Sequence, residues 1–146
     1  MKQLSHAIKV VWLKGAVANA ANTDDDSGIV DTSGYDGVCF VCPITDSAQT
    51  GVATMTAEQN TANSATGMAA LAGAVATLTS AANDDLNGQC LVVDVYRPLE
   101  RYVRVNRGSA TANIAFGDVL AILYHGRTGP ATSAGNVAAV SSPAES

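Results

Sequence analysis

Hydrophobic and polar residues alternate with period two from the start of the chain: Leu4, His6, Ile8, Val10 and Trp12 share one face, and Ala7, Lys9, Val11 and Leu13 the other. This spacing predicts a strand over residues 4–13, because successive side chains of extended backbone point to opposite sides. The same pattern, or a compact β-branched run, predicts strands over residues 29–32, 38–42, 51–59, 90–96, 101–106 and 114–124. The stretch 68–82 is ambiguous: its alanines favour a helix, whereas Val75-Ala76-Thr77-Leu78-Thr79 favours a strand, and the expectation is a strand. Along residues 101–106, Val103 and Val105 fall on one face, with Tyr102 and Arg104 on the opposite, wet face.

Turn formers separate these runs. Asn22 to Gly28, with Asp24, Asp25 and Asp26 at its centre, predicts a solvated loop; Gly34-Tyr35-Asp36-Gly37, residues 60–67 and residues 83–88 predict further turns. Pro43 is expected to end the strand over residues 38–42 or move it to a sheet edge, since it has no N–H for the ladder. Pro98 suits the second position of a turn in Arg97-Pro98-Leu99-Glu100, joining its neighbours as a hairpin. Arg107-Gly108-Ser109 is expected to turn tightly, and Gly117-Asp118 to form a bulge or a bend between sheets. Some eight strands punctuated in this way define an all-β protein, a β-sandwich or jelly-roll-like fold, in one domain over residues 1–125. From His125 onward the residues are almost all small or polar, so 126–146 is expected to be an extended or flexible C-terminal arm.

Composition thins the expected core. Of the 47% hydrophobic residues, 26 are alanine and only three are Phe or Trp, so burial rests on Val, Ile and Leu, at roughly 25 cal/mol per Å² of apolar area. Completion of the sandwich by neighbouring subunits would relieve the shortage. A formal charge of −5 argues against nucleic acid as a partner, which calls for a clustered basic excess. The absence of a long apolar run argues against a membrane-spanning helix, and the first residues lack a secretory pattern. Three cysteines, an odd number, fit a reducing cytoplasm, with no disulfide expected.

Candidate chemistry is sparse. Cys39 and Cys42 have CxxC spacing but lie in a strand-like run, where period two points their sulfurs apart. A zinc site from Cys39, Cys42, Cys90 and either His6 or His125 offers only one close ligand pair. Asp24, Asp25 and Asp26 lack the ligand spacing of a calcium loop. Neither His6 nor His125 stands beside a nucleophile motif, and Asp84 and Asp85 are adjacent loop carboxylates expected to be solvated. The sequence therefore predicts no enzyme, no metal and no cofactor. The most informative polar feature is the basic cluster Arg97, Arg101, Arg104 and Arg107, half of the eight basic residues. These arginines either pair internally with Asp94, Glu100 or Asp118, or join Tyr96 and Tyr102 in an Arg-Tyr patch of the kind enriched at protein interfaces. The candidate contact surface, for a partner or for a second subunit, is Tyr96, Arg97, Arg101, Tyr102 and Arg104.

The run Leu91-Val-Val-Asp-Val-Tyr-Arg-Pro-Leu-Glu-Arg-Tyr-Val-Arg104, with Gly34-Tyr-Asp-Gly-Val38 upstream, resembles a family of small tailed-phage virion proteins, the capsid cement or head decoration proteins. The resemblance covers residues 4 to about 130; the Ala-rich segment 68–82 and the Cys39/Cys42 pair depart from it. It implies a protein bound to the major capsid protein on the outer capsid surface, present in the host cytoplasm during assembly, that stabilises the shell against DNA pressure. It also implies self-association, as a homodimer or homotrimer. On this reading Arg104→Glu should weaken attachment and leave the isolated fold intact. The alternative function is a receptor- or glycan-binding β-module of a tail or head fibre, whose signature would be an exposed aromatic platform.

Overall fold

The computed structural model describes residues 4–126. One helical turn, α1 (Leu4–Ala7), precedes the strands β1 (Ile8–Lys14), β2 (Val17–Ala20), β3 (Asp24–Asp26), β4 (Val30–Asp31), β5 (Tyr35–Ser47), β6 (Val52–Asn60), β7 (Ala69–Thr79), β8 (Cys90–Tyr96), β9 (Tyr102–Ala110), β10 (Ile114–Phe116) and β11 (Val119–Gly126). They form two antiparallel sheets. The first runs β1-β11-β5-β10-β2, with β8 on the other side of β5; the second runs β3-β9-β6-β7, with β4 also on β9. The protein is an all-β sandwich, as its alternation predicts. The expected arm lies outside the described residues beyond Gly126.

Alternate residues of both sheets meet in one core. The first sheet contributes Val38, Phe40, Ile44, Leu91, Val93 and Leu123, and the second Met55, Ala57, Val103 and Val105, all buried. The segment 68–82 does form a strand, β7, because its Leu71, Ala74, Ala76 and Leu78 pack partly buried on this core while it pairs with β6. Tertiary burial thus overrides alanine's helical preference.

Five expectations are corrected. Strand pairing begins at Ile8, opposite Tyr124, and Leu4 is exposed in a helical turn, since the earlier alternation has no core beneath it. Asp24–Asp26 is strand rather than loop, because each residue pairs with β9 and cationic or amide groups meet its carboxylates. Residues 107–109 continue β9 instead of turning. β11 extends through His125 to Gly126, which pairs with Tyr35. Finally, residues 97–100 do not close a hairpin: β8 pairs with β5, and β9 with β6. The Pro98 connection carries the chain from one sheet to the other, turning at Arg97, whose φ is 53°.

Pro43 neither ends its strand nor sits on an edge. β5 changes neighbour there, from β11 before it to β10 after it. N–H and C=O of one strand residue point to the same side, and the Pro43 carbonyl accepts from the Gly117 N–H at 2.8 Å. The missing donor therefore faces the β10–β11 break, where no ladder bond is lost. Gly117 is required at that break: a Cβ on it would lie 2.6 Å from Pro43 Cγ. Gly117→Ala should therefore lower stability by about 1–3 kcal/mol, the usual cost of overpacking. Gly15→Ala, whose Cβ would meet the Trp12 ring at an ordinary 3.7 Å, should denature in urea close to the unmodified chain.

Candidate contact surface

The sheet-to-sheet connection brings together the Gly34–Gly37 turn and the Arg97–Arg101 segment. The Arg97 N–H donates to the Asp36 carbonyl at 2.6 Å, and Gly37 pairs with Tyr96 across β5 and β8. Between them lies an open cleft of about 510 Å³, lined by Tyr35, Asp36, Arg97, Leu99 and Arg101 among others. Leu99 stands at its rim, 88% exposed.

Four of the five proposed interface residues form two Arg-on-Tyr pairs flanking this connection. The Arg97 guanidinium lies 5.2 Å from the centre of the Tyr96 ring, and Arg101 sits 5.2 Å from Tyr102. Arg101 also grips Asp31 through two hydrogen bonds, of 2.8 and 2.7 Å. The guanidinium and the backbone N–H of Ser33 hold the Asp31 carboxyl below the usual carboxylate range. Tyr96 stacks on Tyr124, with ring centres 6.4 Å apart, and His125 meets both rings edge-on. The Tyr124 hydroxyl donates to Asp94 at 2.5 Å; burial first, and then this carboxylate, push its pKa upward.

Arg104 departs from its expected place. It is 8% exposed, and its Nε donates to Glu58 at 3.0 Å while Nη2 lies 3.3 Å from Asp26. The outward face of β9 is covered here by carboxylates of β3 and β6, so Arg104 belongs to an internal ion network and is not a surface contact in the single chain.

Arg107 is more deeply placed still, with no exposed surface. It leaves the second sheet and enters the core. Nη1 donates to the Gly117 carbonyl at 2.6 Å and Nη2 to the Gly15 carbonyl at 2.8 Å, both in the first sheet's breaks, while Nη2 also donates to Asp25 at 2.6 Å. Its guanidinium lies 5.8 Å from the Phe116 ring. The sequence carried a signal for this placement: Val103, Val105 and Arg107 share one period-two face, and that face is the core. No comparable signal marks Asp31 as the partner of Arg101, 70 residues away.

The other candidates are not assembled into one site. Cys42 is buried and Cys39 half-buried on the opposite face of β5, while Cys90 is exposed at the start of β8; all three are free. Burial pushes both the Cys39 and Cys42 thiols up, opposite to the shift that activates a dithiol. His125 meets Tyr96 and Tyr124; His6 lies outside the residues whose side chains are described. Among the described residues no group of three or more metal-ligating side chains forms. Asp85 accepts from the Ser80 hydroxyl and from the N–H groups of Ala81 and Ala82, which hold its pKa down. It organises the β7–β8 loop as a stable anion.

Replacing Arg107 with Met should leave the buried Gly15 and Gly117 carbonyls without a donor and Asp25 with Lys14 as its remaining cation, 3.5 Å away, and cost about 2–4 kcal/mol, the usual result of unpaired buried polar groups, seen as a lower urea midpoint. Arg104→Glu should destabilise the isolated chain by a like mechanism, by about 1–3 kcal/mol, through loss of two charge-assisted bonds. A contrast in acid is expected at Asp31. Its depressed pKa means that ionisation stabilises the fold above the ordinary value of 3.8, and that this contribution disappears as pH falls through the lower folded value. Asp31→Asn should therefore melt below the unmodified chain at pH 6, and the gap should close under strong acid.

No family model and no curated protein matches the chain. Among solved structures, that of Eiger TNF from S. frugiperda aligns over 96% of this chain and 99% of its own length, at 8% identity and a TM-score of 0.46.

Proposed function

We propose that this chain is a decoration or cement protein of a tailed-phage capsid, bound to the major capsid protein on the outer shell surface through the Tyr96–Tyr102 connection. One observation carries the reading. The two segments on which the resemblance rests, 34–38 and 91–104, are more than 50 residues apart in sequence yet lie side by side, joined by the Asp36–Arg97 hydrogen bond and the Gly37–Tyr96 register, with Tyr96, Arg97, Leu99 and Arg101 exposed near the junction and Val38, Leu91, Val93, Val95 and Val103 in the core. A shared sequence pattern on a shared surface is what a common binding partner would select.

The contact residues are Tyr96, Arg97, Arg101 and Tyr102, with Leu99 at the tip of the connection. Tyr and Arg are enriched at protein interfaces because each combines a large contact area with polar groups that fix orientation. The mechanism is passive: a rigid sandwich bridges neighbouring capsid subunits, and its binding favours the assembled shell by mass action. Individual contacts are modest, and many copies add.

Purified chain mixed with shells that lack it should co-sediment with them and raise the temperature at which full particles release DNA. Arg97→Glu with Leu99→Asp should reduce uptake at least tenfold while the melting of the free chain stays close to unmodified. Failure to bind shells of any candidate phage would overturn the reading. A chain that ignores shells but binds host-surface glycans through Tyr96 and Tyr124 would belong to the receptor-binding class instead.

A further inference from the structure

The two sheets of the sandwich end unevenly. β8 and β7 are adjoining edges, each paired on one side, β8 with β5 and β7 with β6. β8 packs over both β6 and β7. The inward residues of β6, Ala53, Met55 and Ala57, are fully buried beneath the first sheet, whereas Leu71, Ala74, Ala76 and Leu78 of β7 are only half-buried. The first sheet is thus one strand short over β7. An open groove of about 270 Å³ marks this gap at the Tyr96 end, between residues 71–74 and 94–99.

The backbone of β8 faces the same gap. In an antiparallel pair, alternate residues turn N–H and C=O toward the partner strand, and those between turn them away. The Arg97 N–H donates to the Asp36 carbonyl at 2.6 Å and the Ile44 N–H to the Gln89 carbonyl at 2.8 Å, so Leu91, Val93 and Val95 are the residues of β8 whose backbone bonds to β5. Cys90, Val92, Asp94 and Tyr96 turn theirs to the open edge, where no partner meets them among the described residues.

A row of unpaired donors and acceptors beside a half-covered apolar row is the template for an added strand. We propose that residues 136–142 of the same chain, Asn-Val-Ala-Ala-Val-Ser-Ser, add to the β8 edge and run antiparallel to it. Reach selects this segment. Gly126 lies two strands from β8 at its Tyr96 end, because β11 pairs with β5 there and β5 with β8. The open edge is therefore about three strand spacings, or about 14 Å, from Gly126. Residues 127–135 can span about 30 Å, enough to clear the Pro98 connection and enter the edge from that end, which fixes the antiparallel direction.

Side chains and charge select it as well. Residues 136–142 match the seven residues of β8 in length, and Gly135 and Pro143 bracket them as strand breakers. In either phase one valine and one alanine face β7, and such small groups suit a shallow gap floored by Leu71, Ala74, Ala76 and Leu78. Residues 128–144 carry no charge, so nothing opposes their approach to Asp94. β8 of a second copy would instead bring another Asp94 to the edge of a chain of net charge −5. The inference goes beyond the capsid reading and does not depend on it, since it concerns the free chain.

Amide hydrogen exchange of the full chain, resolved by residue with NMR, reads the edge directly. An Ala138→Pro/Ala139→Pro variant removes a ladder donor in either phase. The Val92, Asp94 and Tyr96 amides should exchange more slowly in the unmodified chain than in this variant, by about tenfold or more, and by the same factor at every protein concentration. The Val93 and Val95 amides, bonded to β5, should not change. Val137→Asp with Val140→Asp, one charge on each face of the segment, should release the same edge amides. Fast exchange of Val92, Asp94 and Tyr96 in the unmodified chain leaves the edge open and overturns the proposal. Slow exchange that survives both variants means that another segment covers the edge, and protection that grows with concentration means that another copy does; either result overturns it equally.

Discussion

The Arg107 guanidinium is the point at which the two sheets are tied, and much of the architecture follows from what it satisfies. The first sheet is interrupted twice, between β1 and β2 near Gly15 and between β10 and β11 near Gly117, and each interruption frees a backbone carbonyl inside the sandwich. A buried unpaired carbonyl costs on the order of 1–3 kcal/mol. One cation from the opposite sheet donates to both carbonyls, and Asp25 of the adjacent strand balances its charge at 2.6 Å. The breaks allow β5, thirteen residues long, to change neighbours midway, with Pro43 at the one position where a missing N–H goes unnoticed.

This arrangement makes the acidic stretch Asp24–Asp26 a structural element. Asp25 faces Arg107, Asp26 faces Arg104, and Asn106 donates to Asp24 and Asp26. Negative residues that would repel one another in an isolated strand are each met by a donor from β9. Arg104 and Arg107 are thereby buried in the cohesion of the sandwich, Arg101 pairs with Asp31 at the surface, and Arg97 stands exposed on the connection. Internal pairing and surface display, the two explanations open for the cluster, apply to different members of it.

The two outward faces then divide the surface chemically. The second sheet meets water with threonine, asparagine and internally paired charges. The first presents aliphatic and aromatic side chains, with Trp12 Nε1 bonded to Asp118 and the Tyr124 hydroxyl to Asp94. Both phenylalanines are fully buried and Tyr35 packs against the core, whereas other large aromatics are carried on the exterior. Trp12, Tyr96 and Tyr124 sit there on one face, next to a connection rimmed by Leu99.

Period-two alternation and β-forming runs were sufficient to predict an all-β chain and most strand positions, because side-chain direction in extended backbone depends only on local geometry; the strand character of residues 69–79, where the alanines favour a helix, was decided by packing of Leu71, Ala74, Ala76 and Leu78 on the core. It also placed Cys39 and Cys42 on opposite sides of one strand, and it contained the signal, in the spacing of positions 103, 105 and 107, that an arginine enters the core. Which strands pair was decided only in three dimensions. Residues 97–100 have the local chemistry of a hairpin turn yet cross between sheets, since a turn sequence constrains the direction of the chain and not the neighbour it meets. For the same reason, the union of Asp25 with Arg107 and the row of Trp12, Leu120, Val41 and Val92 appear only once strands far apart in sequence lie side by side.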